Sequence, residues 1–217
     1  MSVEVYDSER EQIEAMKKWW QANGKAVVTG LILGVASLVG WQQWSAYVTT
    51  SRETASVEYD VLMQELEMGQ SDAVRQRGLR IIADYDNTPY AVLAALAVAK
   101  VAADSDDLVM ARAQLQSVID KAEEVELQHI ARARLARIMI SEGQPSQALK
   151  TLQSVQPVGF ESLYDEVMGD AHAALGNTDQ ARASYERAIA GFDEAGVDTS
   201  FLRIKLDELG VLPEATS

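Results

Sequence analysis

The feature that most constrains the fold of this chain is an uncharged segment near its N-terminus, Ala26 to Trp41. From Trp20 to Trp41, an α-helix rising about 1.5 Å per residue extends roughly 31 Å, close to the ~30 Å hydrocarbon core of a bilayer. Side chains typical of membrane interfaces flank the segment: Trp19, Trp20 and Lys25 on one side, Trp41 and Trp44 on the other. These features predict a transmembrane helix over residues 25–46, with a buried helix of a water-soluble protein as the alternative.

A cleaved secretory signal is a second alternative, because the segment lies near the start of the chain and follows basic residues. Its apolar run is longer than the usual ~7 to 15 residues of a signal, and residues 41–47 do not place small side chains where signal peptidase reads them. We therefore expect a permanent anchor. The basic residues before the segment are Arg10, Lys17, Lys18 and Lys25, and Arg52 alone follows closely. The positive-inside rule then predicts a cytoplasmic arm over residues 1–24 and an outer domain over residues 47–217.

The composition excludes several functions. Cysteine is absent, so the chain has no disulfide, no thiolate nucleophile and no cysteine metal site. The formal net charge is −14 at pH 7, and nearly all of it lies after the apolar segment. A domain of this charge repels nucleic acids and anionic lipid surfaces, so we expect no nucleic-acid partner.

Residues 47–217 carry a helical pattern, in which alanine and leucine recur at three- and four-residue spacings without the alternation of a strand. Clusters of glycine, proline, asparagine and aspartate divide this pattern into segments of about 12 to 20 residues, a length typical of antiparallel helical hairpins. The residues that we expect to cap the following helices are Ser71, Thr88, Asp106, Ser146, Thr178 and Thr199. The sequence therefore predicts an all-α chain.

The hairpins share one spacing. In the clearest unit Ala181 follows Gly169 by twelve residues, Tyr185 comes four residues later, and Ala188 three after that. Small residues let two helices approach closely, and the ring of Tyr185 fills the remaining space. Earlier units repeat the pattern less cleanly: Ala136, Gly143, Ala148, Leu152 and Val155, then Ala99, Ala111, Leu115 and Val118. This spacing resembles the tetratricopeptide repeat (TPR) signature without its tryptophan, and predicts an α-solenoid of TPR-like hairpins beginning with a degenerate hairpin over Glu53–Tyr85. An unrelated alanine-rich bundle is the alternative.

The sequence contains no phosphate-binding glycine loop, nucleophile elbow or zinc-protease motif. His129 and His172 lie far apart and lack ligand-spaced partners, and we interpret His172 as a packed, hydrogen-bonded residue of a hairpin interface. The cluster of Arg132, Arg134 and Arg137 either marks a site for an acidic partner or offsets nearby carboxylates. TPR-type stacks bind other proteins, so we predict a non-enzymatic protein without catalytic residues, metal or cofactor.

Small residues recur within the apolar segment. Gly30 and Gly34 form a small-xxx-small step that Ser37 extends, and helix backbones can approach closely along such a face. This pattern predicts a packing interface with another membrane helix. Glycine is common in membrane helices, so a plain anchor is the alternative.

Several stretches together resemble the YfgM family, the ancillary subunits of the bacterial SecYEG translocon: residues 17–26, 32–35, 40–44, 88–96, 135–137 and 148–152. The resemblance implies a single-pass protein of the bacterial inner membrane with a periplasmic TPR-like domain. It implies two partners, the SecYEG translocon and a PpiD-type membrane-anchored periplasmic chaperone, with unfolded secretory proteins as clients. The implied role is an adaptor that helps hand over secretory proteins to periplasmic chaperones.

Two other functions are compatible with the same sequence features. One is a membrane-tethered regulator that restrains a signalling protein. The other is an accessory subunit of a cell-envelope synthase.

Overall fold

The structure is a computed structural model that describes residues 3–210, with side chains described from residue 11 onward. Expectations for residues 1–2, for the side chain of Arg10 and for residues 211–217 lie outside this part. The described residues form helices and no strand, which confirms the all-α prediction. The helices are α1 (Val3–Glu67), α2 (Ser71–Asp84), α3 (Pro89–Asp104), α4 (Leu108–Lys121), α5 (Val125–Ser141), α6 (Pro145–Gln153), α7 (Glu161–Ala174), α8 (Thr178–Glu194) and α9 (Ser200–Glu208).

The chain divides into two compact units, residues 1–53 and residues 54–217. In the first unit α1 has an apolar window with a mean hydropathy of 1.6, of which 6% is buried. Its leucines face outward, as Leu31 and Leu38 show by exposing 67% and 71% of their surface. Within the described residues α1 is the one helix that is long and apolar enough to cross a membrane. A helix suits the membrane interior because its backbone N–H and C=O groups are hydrogen-bonded to one another.

The second unit is a series of four helical hairpins followed by α9. The end of α1 contacts α2, where Arg77 pairs with Glu58 and Glu65. The next hairpins are α3 with α4, α5 with α6, and α7 with α8. Their buried residues form three core clusters that are rich in small side chains. The alanines with at most 3% of their surface exposed include Ala94, Ala95, Ala99, Ala102, Ala111, Ala131, Ala133, Ala136, Ala148, Ala171, Ala181 and Ala188. Such residues allow the close helix approach that the repeat spacing predicts.

All four hairpin turns use the same backbone device. A residue with positive φ follows the first helix: Gly69 at 70°, Asp106 at 62°, Gly143 at 75° and Gly176 at 74°. The next N–H then donates to the carbonyl five residues earlier, as from Gln144 to Met139 at 2.8 Å. This is the Schellman arrangement, in which glycine is favoured because it lacks a Cβ. Asp106 takes the same conformation, which aspartate tolerates better than most residues.

The predicted N-caps are mostly wrong. Thr88 and Thr199 lie at N-cap positions, but their hydroxyls donate to Tyr85 and Asp193 and do not cap their helices. Ser71, Ser146 and Thr178 lie inside helices whose N-caps are Gln70, Gln144 and Asn177. Asp106 is displaced by its neighbour Asp107, whose Oδ1 accepts from the N–H of Met110 at 3.1 Å. The reason is that the Schellman turn leaves a single residue between the left-handed position and the next helix.

Candidate interaction surfaces

The predicted helix-packing face of α1 is open. A Cβ added at Gly30 or Gly34 meets no heavy atom within 4 Å. The hydroxyl of Ser37 donates to the carbonyl of Leu33 at 2.8 Å, so its polar hydrogen is satisfied within the helix. This face can therefore receive the backbone of another helix. The packing of α1 against another membrane helix stays a prediction.

Aromatic rings flank this face on both sides. The rings of Trp41 and Trp44 lie 5.3 Å apart. Trp20 covers Gly24, where an added Cβ would lie 3.2 Å from the indole ring. Trp19, Trp20, Trp41 and Trp44 each expose more than half of their surface. Exposed indoles at both ends of an apolar helix suit the headgroup regions of a membrane.

The hairpin of α7 and α8 is closed by a ring against a glycine. A Cβ at Gly169 would lie 2.5 Å from two ring atoms of Tyr185, so any side chain there collides with the ring. The Tyr185 hydroxyl donates to Oδ1 of Asp170 at 2.8 Å, and Lys205 Nζ donates to the same oxygen at 2.7 Å. Burial, then the hydrogen bond to Asp170 and its charge, raise the pKa of Tyr185 well above its ordinary value. Tyr185 therefore stays a donor that ties α7, α8 and α9 together.

The alanines predicted to pack in the repeats lie in the interior, whereas Gly143 of the same pattern is an exposed turn residue. Ala136, Ala148, Ala181 and Ala188 have no exposed surface. Ala136 and Ala148 lie on the paired helices α5 and α6, and Ala181 and Ala188 lie on α8.

The prediction that His172 is hydrogen-bonded is wrong for its Nδ1 atom. This atom is buried and has no hydrogen-bond partner among the described residues, because the helix packing that covers it places no polar group within reach. Burial first, and the charge of Arg187 second, lower the pKa of His172. The histidine is therefore neutral near pH 7.

His129 has the partner that His172 lacks. Its Nδ1 lies 2.8 Å from the hydroxyl of Tyr164, and its ring stacks on Phe160 at 5.1 Å. Burial first, and the charge of Arg132 second, lower the pKa of His129. No group of three or more histidines and carboxylates among residues 11–210 is arranged to hold a metal ion.

The three arginines of the basic cluster do not share one site. Arg137 pairs with Glu166 at 2.9 Å, and it lines with Arg134 a cavity of about 310 Å³ formed by α3, α4 and α5. Arg132 lines a different groove of about 890 Å³, formed by α4, α5, α6 and the turn before α6. The separation of Arg132 from Arg134 follows from helix geometry, because residues two positions apart on an α-helix point about 200° apart.

Sequence reasoning missed the residues that share this larger groove with Arg132. Lys150 and Thr151 from α6 and Gln116 from α4 line it as well. No local motif connects these positions, since they come together only through the pairing of neighbouring helices. The ion pair between Asp170 and Lys205 was missed for the same reason.

An exposed apolar helix joined in one chain to stacked small-residue hairpins defines a TPR-like protein with an anchor able to cross a membrane. Residues 17–211 match the family described as a tetratricopeptide repeat-like domain. The chain is 30% identical over 209 residues to the ancillary SecYEG translocon subunit of Escherichia coli. The aligned region covers 96% of this chain and 100% of that protein. The chain belongs to the family of ancillary SecYEG translocon subunits, as its resemblance to YfgM predicts.

Further relatives carry the same name. The protein of Haemophilus influenzae is 30% identical over 94% of this chain and 100% of its own length. That of Aggregatibacter actinomycetemcomitans is 28% identical over 93% of this chain and 97% of its own length. No solved structure matches the chain significantly.

Proposed function

We propose that this protein is a non-enzymatic adaptor of the Sec translocon, anchored in the bacterial inner membrane by one helix. The observation that carries the proposal is the exposed apolar surface of α1 in a chain of the ancillary translocon subunit family. Residues 1–24 form the cytoplasmic arm, residues 25–46 cross the membrane, and residues 47–217 form the periplasmic domain. The distribution of lysine and arginine around the span supports this orientation.

The span itself is the surface that meets SecYEG in this proposal. Gly30, Gly34 and Ser37 present an open strip on α1 where another helix can pack closely. The interface residues Trp19, Trp20, Lys25, Trp41 and Trp44 hold this strip at a defined depth. Association in lipid then depends on close packing, because lipid tails are as apolar as the helix surface.

The periplasmic domain supplies protein-binding surfaces to emerging secretory chains and to a PpiD-type chaperone. The stack offers grooves along its helices, and among its described residues there is no cluster suited to metal chemistry. Stacked hairpins present extended surfaces of this kind to other proteins. Handing over a secretory protein needs reversible binding of this kind and no covalent step.

Orientation is tested first, with protease added to spheroplasts that carry the full-length protein. We expect digestion of the domain after the span, because four basic residues precede the span and one follows it closely. If the domain stays intact until the inner membrane is lysed, the proposed orientation is wrong.

Partner contact is tested with photo-crosslinking amino acids placed singly in intact membranes. A probe at Leu33 in the span is expected to capture SecYEG, and a probe at Gln147 on α6 to capture chaperones or clients. Gln180 on α8 is the exposed control position. Absence of SecYEG adducts from Leu33 and its neighbours would contradict an adaptor role at the translocon.

A further inference from the structure

One groove of the second unit is lined by a nearly buried arginine, Arg132, that has no partner among the described residues. Arg132 exposes 9% of its surface and lines the groove of about 890 Å³ formed by α4, α5, α6 and the turn before α6. We call this the Arg132 groove; its other lining residues include Lys150, Gln116, Gln147, Ile119 and Met139. Arg132 has neither a hydrogen bond nor an ion pair within the described part of the chain. Its nitrogens are not among the fully buried polar atoms that lack a partner, so the charge is accessible and can pair with an anion from outside.

Three other arginines of the stack have carboxylate partners within the chain. Arg75 pairs with Asp107, Arg112 with Glu142, and Arg137 with Glu166, each at 3.1 Å or less. In an acidic domain a partner is easily supplied by the chain itself. Arg132 lacks one although it is the most buried of its kind in this unit.

The lining of the Arg132 groove is cationic and contains no carboxylate. Two other acids have partners of their own: Asp120 accepts from the lining residue Gln116 at 2.9 Å, and Glu142 pairs with Arg112 at 2.7 Å. A negatively charged ligand therefore meets Arg132 and Lys150 without a facing carboxylate. Such a groove is complementary to acidic groups.

The remaining lining favours a peptide over a small anion. Gln144 and Gln147 carry amides that can both donate to and accept from a peptide backbone. Ile119, Leu135 and Met139 offer apolar surface for side chains between the charged ones. A free phosphate would use the two cations and leave these groups without a role.

We propose that the Arg132 groove binds an extended segment of a protein partner in which carboxylate and apolar side chains alternate. The carboxylate pairs with Arg132, and the guanidinium can hold it through two parallel hydrogen bonds. The exposed ammonium of Lys150 attracts a second acidic group at the edge of the groove. The inference rests on the proposed protein-binding role of the domain, and it names the chemistry of the segment that is bound.

The test uses the full-length protein in phosphatidylcholine nanodiscs and a fluorescein-labelled octapeptide of alternating glutamate and leucine. The matched peptide has glutamine in place of glutamate. Fluorescence anisotropy is expected to show about tenfold tighter binding of the glutamate peptide, which is ~1.4 kcal/mol. Equal affinities for the two peptides would overturn the proposal.

The Arg132→Met variant removes the charge and keeps a long apolar side chain. We expect about a tenfold loss of glutamate-peptide affinity and no change for the glutamine peptide. Arg134→Met is the control, since it lies on the same helix but lines the other cavity. An equal loss in this control would show a general electrostatic effect and overturn the assignment. Lys150→Met is a second test variant, at an exposed position where the substitution does not disturb the core. We expect it to lose less affinity for the glutamate peptide than Arg132→Met does.

Inorganic phosphate at matched ionic strength separates the two sources of negative charge. We expect it to displace the peptide no better than chloride does, because the apolar and amide contacts are absent from phosphate. Displacement at millimolar phosphate would mean a small-anion site and overturn the peptide proposal. SecYEG is absent from this peptide-binding assay. A negative result here would therefore not affect the crosslinking test of the adaptor role, and a negative crosslinking result would not affect the groove proposal.

Discussion

The same residue type serves opposite purposes in the two units of this protein. A Cβ added at Gly34 in the first unit would have no heavy atom within 4 Å, whereas a Cβ added at Gly169 in the second would lie 2.5 Å from the ring of Tyr185. Leucines follow the same division, since Leu38 exposes 71% of its surface and Leu62 none. The difference teaches that the second unit uses its small and apolar residues for its own fold, while the first keeps them available for lipid or another helix.

The largest expected effect is at Gly169. Replacing it with leucine forces apart α7 and α8, because even a Cβ collides with Tyr185. We expect a loss of about 3 kcal/mol in the free energy of unfolding, at the upper end of overpacking effects. Urea denaturation of the full-length protein in detergent, followed by circular dichroism, measures this change.

A paired variant sharpens this result. Gly169→Ala should be costly in the native background and much less costly when Tyr185→Leu has removed the ring, so that the two changes are not additive. A loss below about 0.5 kcal/mol for Gly169→Leu would mean that the hairpin interface is looser than the structure shows.

A smaller effect is expected from the two histidines of the second unit, the only ones in the chain. Burial lowers the pKa of both His129 and His172, so the unfolded chain binds protons more readily than the folded one. The contribution of the two neutral histidines to the free energy of unfolding is therefore fully present above their unfolded pKa of about 6.5, and it falls as the pH drops below that value. The slope is at most about 1.4 kcal/mol per pH unit for each histidine.

Melting of the full-length protein between about pH 7.5 and pH 5.5 checks this dependence. The His129→Gln and His172→Gln double variant should lose most of the slope, whatever its absolute stability. An unchanged slope in that variant would assign the acid sensitivity to other groups.

The next expected effect is a gain of stability at Asp106. This residue has a φ of 62°, where the other three hairpin turns have glycine. Asp106→Gly should raise the free energy of unfolding by about 0.5 to 1 kcal/mol, because glycine adopts the left-handed region without a Cβ penalty. Gly143→Ala is the reverse control and should lose about 1 kcal/mol in the same denaturation assay. A gain from both changes would contradict the shared turn geometry.

The smallest effect on folding is expected at Gly34, where the comparison between the units is sharpest. Gly34→Leu should change the free energy of unfolding by less than about 0.5 kcal/mol, since no heavy atom of the described residues lies within 4 Å of a Cβ at this position. Its effect should appear in binding instead, as a reduced recovery of membrane partners after mild detergent extraction.

Ala36→Leu is the matched control for this change, because it enlarges a small residue on another side of the same helix. Full recovery of partners with Gly34→Leu would show that the span is an anchor alone. Equal losses with both variants would mean that no particular face of the helix is used.

The sequence by itself determined the features that depend on local order along the chain. An uncharged run of the right length between tryptophans predicts the span, and three- and four-residue spacings predict helices. The spacing of Gly169, Ala181 and Tyr185 predicts the repeat type, because each hairpin is packed by residues at regular intervals. The N-caps were missed at most positions, since a one-residue shift in a turn changes which residue precedes the helix.

Only the tertiary structure decided which distant residues share a site. Arg132 and Arg134 are neighbours in sequence but line different cavities, whereas Arg132 and Lys150 line one groove from two helices. Lys205 reaches Asp170 from α9 by the same kind of long-range approach. These pairs depend on how far each helix is rotated about its axis against the next, which is set by the packing of buried alanines and tyrosines across the interface and by no spacing along the chain.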